Sequence, residues 1–133
     1  MAAKGSFVET IALIAVIDDE AAMRQAVGRL LRSLGHTVTA FASAEAFLID
    51  GDLDRFSCII TDIQMPGLSG IELKQELTLR GVAAPVIMIT ARTEDSIRDQ
   101  AMRSGALCFL PKPFDAAQLT ACVERALRER IAR

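Results

Sequence analysis

Four kinds of side chain along this sequence could serve one reaction: paired carboxylates at Asp18 and Asp19, a single carboxylate at Asp62, a hydroxyl at Thr90 and an ammonium at Lys112. Gathered together, three carboxylates repel one another, and burying them uncompensated raises their pKa values and weakens the fold. A cation must therefore join them. A hard divalent ion with oxygen ligands fits, since Mg²⁺ takes one or two carboxylates, several waters and a phosphate oxygen. Lys112 adds a fixed positive charge. With Thr90 as a donor, such a cluster can spread and neutralise the charge of a phosphoryl group in transfer. A carboxylate at its centre then acts as nucleophile and becomes an acyl phosphate. Asp62 stands singly and is the nucleophile candidate, while Asp18 and Asp19 form a pair suited to holding metal.

For these residues to meet, the elements that carry them must converge. Ile11 to Ile17 is a continuous apolar run that stops at Asp18, as in a strand buried on both faces of a parallel sheet. Met23, Ala26, Val27, Leu30, Leu31 and Leu34 recur at helical spacing, with Gly35 to end the helix. Thr37 to Phe41 reads as a second strand, and Ser43 caps a short helix through Leu48. A third strand, Ser57 to Thr61, runs into Asp62 and a Met65-Pro66-Gly67 turn, after which Ser69-Gly70-Ile71-Glu72 matches a capping box. Val86 to Ile89, closed by Thr90, predicts a fourth strand, followed by a helix from about Glu94 to Arg103 that ends at Gly105. Ala106 to Leu110 predicts a fifth strand before Pro111-Lys112-Pro113. The last helix places Leu119, Cys122, Val123, Ala126, Leu127 and Ile131 on one stripe, with Glu124, Arg125, Arg128 and Arg130 mostly off it.

Alternating strands and helices predict an α/β domain, a five-stranded parallel sheet with five helices covering both faces. In the doubly wound order 2-1-3-4-5, ligands sit beyond the carboxyl ends of the strands, where strand order reverses. That order brings Asp18, Asp19 and Asp62 around one crevice.

Composition narrows the function. At about 150 residues per domain, 133 residues predict one domain over 1–133 with a core of about 11–131. Fifteen Lys and Arg against 17 Asp and Glu leave a net charge of −2, which argues against direct nucleic-acid binding. The apolar run is far shorter than the roughly 20 residues of a membrane span. The opening residues, with Lys4 their one positive charge, do not read as a signal peptide, so a cytoplasmic protein is expected. Cys58, Cys108 and Cys122 are widely spaced in apolar runs and read as buried, reduced thiols. His36, the only histidine, builds neither a histidine metal site nor a Ser-His-Asp triad. No glycine-rich nucleotide loop occurs, so the phosphoryl donor is expected to be another protein or a small phosphodonor.

Four stretches together resemble the receiver domains of two-component response regulators, especially those attached to helix-turn-helix output domains. They are Val16-Ile17-Asp18-Asp19-Glu20, Ile60-Thr61-Asp62-Ile63-Gln64-Met65-Pro66-Gly67 with Ser69-Gly70, Ile87-Met88-Ile89-Thr90-Ala91, and Gly105-Ala106 through Phe109-Leu110-Pro111-Lys112-Pro113-Phe114. The resemblance spans about Ala12 to Ala126. It implies a flavodoxin-like receiver fold in which Asp62 accepts phosphate from a sensor histidine kinase or phosphotransfer protein. Asp19 and Asp62 would bind Mg²⁺ directly, Asp18 partly through water, and the Gln64 backbone carbonyl would complete the site. A cis peptide between Lys112 and Pro113 is implied, as is a switch in which the Thr90 hydroxyl moves inward and Phe109 rotates into the vacated space. Phe109 lacks the hydroxyl many relatives carry there, so an inward state would rest on packing. The output surface would be the fourth helix, fifth strand and fifth helix, with a homodimer through the fourth helix and fifth strand. Gln64 and Arg92 flank the site as modulators of hydrolysis. Replacing Lys112 by alanine is expected to disturb activation more than folding.

Each residue taken singly has a plainer reading. Asp18-Asp19-Glu20 can charge a helix start, Asp62 can shape a turn, Thr90 can end a strand, Lys112 can be a solvated charge and Phe109 can be core. The coincidence of four strand ends, each with the type one phosphoryl site needs, favours the joint reading. A metal-dependent aspartyl-phosphate phosphatase is the alternative enzyme, but it usually carries a second acid where Gln64 stands. A receiver that binds partners without phosphorylation is the remaining alternative, and the filled acidic and cationic positions speak against it.

Overall fold

A computed structural model describes residues 12–132 of the chain. Five strands, β1 (Leu13–Ile17), β2 (Thr37–Phe41), β3 (Cys58–Asp62), β4 (Val86–Thr90) and β5 (Cys108–Pro111), alternate with α1 (Ala21–Ser33), α2 (Ala44–Leu48), α3 (Gly70–Leu79), α4 (Asp95–Arg103) and α5 (Ala116–Ala132). A short 3₁₀ turn, Leu53–Arg55, precedes β3. Every strand pairing is parallel and the order is β2-β1-β3-β4-β5, so the reversal falls between β1 and β3 as expected. The expected start of the first strand at Ile11, the reading of the opening residues around Lys4, and the side chains of Arg130 and Ile131 lie outside what is described.

Burial explains the strand sequences. β3 and β4 are buried at every position, and such strands read as unbroken apolar runs because both faces of a parallel sheet are covered. β2, at an edge, is exposed at Thr37 and Ala40. Helices α1 and α5 cover one face, where Val27, Leu31, Leu119, Val123 and Ala126 meet Ile14, Ile60, Ile87 and Leu110. Helices α2, α3 and α4 cover the other, where Phe47, Leu73, Leu77 and Ala101 meet Phe41, Phe56, Ile59 and Met88. The α1 stripe is narrower than the spacing predicts: Ala26 and Leu34 are exposed.

Several boundaries move by one or two residues, and three of these moves have a hydrogen-bonding reason. β3 includes Asp62, which pairs in register with Ile89, and β4 includes Thr90, which pairs with Pro111. β5 begins at Cys108 rather than Ala106, because the Ala106 N–H still closes the end of α4 by donating to the Ala101 carbonyl at 3.2 Å. Two helix starts carry the side-chain caps expected of them, whereas those of α1 and α4 have none. Ser43 Oγ accepts from the Ala46 N–H at 3.0 Å, and Ser69 and Glu72 form the reciprocal capping box of α3.

The turn between β3 and α3 is drawn tight. Gly67 adopts φ +78°, a left-handed conformation favouring glycine, and the Glu45 carboxylate of α2 accepts from the next N–H, Leu68, at 2.9 Å. Gly70 donates to the Ile63 carbonyl at 2.9 Å, and a Cβ there would collide with the Asp62 carbonyl oxygen and lie 3.1 Å from Ile63 Cα. Gly70→Ala must therefore push the start of α3 off the end of β3. The expected loss is about 1–3 kcal/mol in urea denaturation, and a variant as stable as its parent would contradict this close approach.

The cysteines are free; Cys58 and Cys108 are buried, while Cys122 is half-buried rather than fully so. Burial raises the Cys58 thiol well above its ordinary range and Cys122 to about 12, which keeps both protonated and unreactive. His36 is half-buried and its pKa is lowered by burial, in keeping with a neutral structural imidazole. No helix among the described residues is long and apolar enough to cross a membrane.

Candidate functional site

The carboxyl ends of β1 and β3 lie side by side, with Ile17 paired to Thr61, so the residues that follow each strand open into one crevice. Asp18 is 3% exposed and Asp62 6% exposed, while Asp19 faces solvent. Asp18, Asp19 and Asp62 can each offer a carboxylate oxygen so that all three atoms lie within 4.8 Å of one another. Backbone bonds fix the rim. The Asp18 N–H donates to the Phe41 carbonyl at 3.1 Å, the Asp18 carbonyl accepts from Arg24 Nη1 at 2.7 Å, and Asp18 Oδ1 accepts from the Glu20 N–H at 2.9 Å.

Lys112 reaches the same point from the end of β5. Its N–H donates to the Thr90 carbonyl at 2.7 Å, and the Lys112–Pro113 peptide is cis, as the resemblance implied. The ammonium stands 3.4 Å from Asp62 Oδ2, 3.6 Å from Asp18 Oδ2 and 3.4 Å from Glu20 Oε1, with its side chain only 14% exposed.

One ammonium does not balance these carboxylates. Burial raises the pKa of Asp18 despite the Glu20 N–H and Lys112, and raises that of Asp62 with the help of the Asp18 charge. For Lys112, burial alone would lower the pKa, but Asp62 and Asp18 outweigh it and the net shift is upward, so the ammonium remains charged at neutral pH. Asp62 Oδ1 is buried without a hydrogen-bond partner, which among the described residues is shared only by His36 Nδ1. A buried acceptor left empty beside two other carboxylates is the donor set of a hard cation, so these residues fit Mg²⁺.

Thr90 is fully buried at the end of β4, one residue past Ile89, whose carbonyl accepts from the Ile63 N–H at 2.9 Å. Its hydroxyl donates to Gln64 Oε1 and accepts from the Arg92 N–H at 2.9 Å. Gln64 and Arg92, both read from sequence as flanking the site, line one cleft of about 760 Å³ between α3 and the start of α4. Phe109 is half-buried on β5, and Arg98 of α4 lies over its ring at 4.8 Å from the centroid.

The fold thus brings together Asp18, Asp19, Asp62 and Lys112, with Thr90, Gln64 and Phe109 on the adjoining strand ends and loop. Two contacts were not foreseen from the sequence. Glu20 is a third carboxylate partner of Lys112, signalled only by its place directly after the aspartate pair. The Gln64 side chain holds the Thr90 hydroxyl, whereas only its backbone carbonyl had an assigned place.

Comparison with known proteins bears on the family and the fold. Residues 14–124 match the response regulator receiver domain. The chain is 47% identical over 113 residues to the transcriptional regulatory protein FixJ of Azorhizobium caulinodans, covering 84% of this chain and 53% of that protein. Its fold superposes on full-length FixJ from B. japonicum with TM-score 0.83 at 40% identity, over 90% of this chain and 59% of that one. A response regulator receiver domain protein from Clostridium thermocellum gives TM-score 0.84 at 28% identity, over 92% of this chain and 100% of that one. The chain spans about half the length of the curated relatives it matches. Sequence, strand order and the match over nearly every described residue agree, and the chain belongs to the receiver domain family of response regulators.

Proposed function

We propose that Asp62 is the phosphoacceptor of this domain and that residues 1–133 work as a single signalling module rather than as an enzyme acting on outside substrates. The observation that carries this reading is the Lys112 ammonium held between Asp18 and Asp62 while the second oxygen of Asp62 stays buried and unpartnered. A carboxylate oxygen of Asp62 attacks the phosphorus of a phosphohistidine on a sensor kinase or phosphotransfer protein, or of a small phosphodonor. The P–O bond to Asp62 forms as the bond to the donor breaks, and the leaving group takes the electron pair. Asp19, Asp62 and the Gln64 backbone carbonyl would hold Mg²⁺, with Asp18 contributing partly through water, and the ion would neutralise charge on the phosphoryl oxygens. Lys112 neutralises a further oxygen, and Thr90 donates to another. Water later hydrolyses the acyl phosphate, with Gln64 and Arg92 as modulators.

Uptake tests the reading. Radiolabel from acetyl phosphate should appear on the chain with Mg²⁺ and fall by roughly a hundredfold with a chelator. Equal labelling in both would remove the metal from the proposal, and none in either would remove the phosphoacceptor.

Phosphorylation then draws the Thr90 hydroxyl inward and Phe109 follows it, altering the surface of α4, β5 and α5. We infer a homodimer through α4 and β5, strengthened by phosphorylation, in a cytoplasmic regulator that acts on transcription through an attached or partner domain and not through nucleic-acid contacts of its own. Sedimentation should show a gain in mass with Mg²⁺ and phosphodonor; an unchanged mass rejects the dimer while leaving the phosphoacceptor standing.

A further inference from the structure

A hydroxyl has one proton to donate, and Thr90 gives its proton to Gln64 Oε1 while its oxygen accepts the Arg92 N–H. Its position at the end of β4, beside the strand end that carries Asp62, suits it to a phosphoryl oxygen, yet that proton is already committed. We infer that the Gln64 side chain is a positioning residue that restrains Thr90 in the unphosphorylated arrangement, so that phosphoryl uptake proceeds against the loss of this hydrogen bond. The inference rests on the phosphoacceptor reading of Asp62.

The chemistry favours a restraint over a packing role. Thr90 is fully buried, so its hydroxyl cannot exchange Gln64 for bulk water without moving. Gln64 lies in the loop just after Asp62, on the rim of the cleft it shares with Arg92. The acceptor is therefore attached to the segment that reacts. When the Thr90 proton turns to a phosphoryl oxygen, the amide of Gln64 is released into that cleft, where water can reach it. The end of β3 and the loop that follows it thus carry, two residues apart, the reacting carboxylate and the group that competes for its hydroxyl donor.

A purely structural residue and a restraint predict opposite signs. Gln64→Met keeps the length of the side chain and removes the acceptor. It should bind beryllium trifluoride, a mimic of the phosphoryl group, about fivefold more tightly than the parent in the presence of Mg²⁺, the size of one net neutral hydrogen bond. Gln64→Asn, too short to reach Thr90, should move in the same direction. Fluorine NMR titration reads the affinity directly, and urea denaturation shows that each variant folds. The decisive comparison is a double-mutant cycle. In a Thr90→Val background, where there is no hydroxyl to restrain, Gln64→Met should leave the affinity unchanged. Weaker or equal binding by Gln64→Met, or the same gain in the Thr90→Val background, overturns the restraint. A parent protein that does not bind the mimic at all instead overturns the phosphoacceptor reading.

Discussion

Asp62→Asn will carry no acyl phosphate at any donor concentration, and without divalent metal it will be more stable than its parent. The first result follows because a neutral amide oxygen is not a nucleophile for phosphorus, so labelling should fall to background. The second follows from burial. Burial first, and the Asp18 charge second, raise the Asp62 pKa above its ordinary 3.8, and Lys112 offsets them only partly. A carboxyl whose folded-state pKa is raised burdens the fold when ionised. That burden is absent below the unfolded value, grows as pH rises from the unfolded to the raised folded value, and is complete above it. The asparagine variant never acquires it. The stability difference should therefore reach about 1–3 kcal/mol near neutral pH and close on acidification. Urea denaturation over a pH series in chelator measures it. A variant less stable than its parent at neutral pH, or a gap that widens in acid, would mean that Lys112 already compensates the cluster.

Lys112→Met should be the converse case, losing both reactivity and stability. Methionine preserves the apolar stem and deletes only the ammonium. In chelator, Asp18 and Asp62 would then face each other without a cation, and the expected loss is about 3 kcal/mol, as for a buried pair deprived of one partner. With Mg²⁺ a cation remains and the loss should be smaller, whereas uptake from acetyl phosphate should still fall by roughly a hundredfold. The pH course again has a definite sign. The Lys112 pKa is raised above 10.5, so its contribution is present at lower pH and is lost only as pH climbs through the raised value. The gap between parent and variant should persist from neutral to alkaline pH and shrink in acid as the carboxylates protonate. Labelling that survives the substitution would show that Lys112 is a structural counter-ion alone.

The features legible in the sequence are those in which local pattern and position coincide. Val86 to Ile89 is apolar at every step because both faces of β4 are covered, and Asp18, Asp62, Thr90 and Lys112 announce themselves by ending such runs. Ser69 and Glu72 are equally plain, since a capping box is a contact between near neighbours. What was illegible is contact between side chains that share no period. Nothing in the spacing of Gln64 and Thr90 says that an amide from one loop will meet a hydroxyl at the end of another strand. Glu20 became a partner of Lys112 only through the sheet order, which joins residues far apart in the chain. The exposure of Ala26 and Leu34 shows a similar limit, because periodicity gives the direction of a helical stripe but not the width its neighbours cover.

The Phe109 ring, capped by the Arg98 guanidinium, has no polar atom that an inward turn of the kind proposed above would leave stranded. Such a movement would give up the Arg98 contact and withdraw hydrocarbon from solvent, a burial whose driving force near room temperature is almost wholly entropic and fades on cooling. If phosphorylation drives that turn, the switched population of this domain would track temperature as well as its phosphodonor, with cold thinning it even where every molecule is modified.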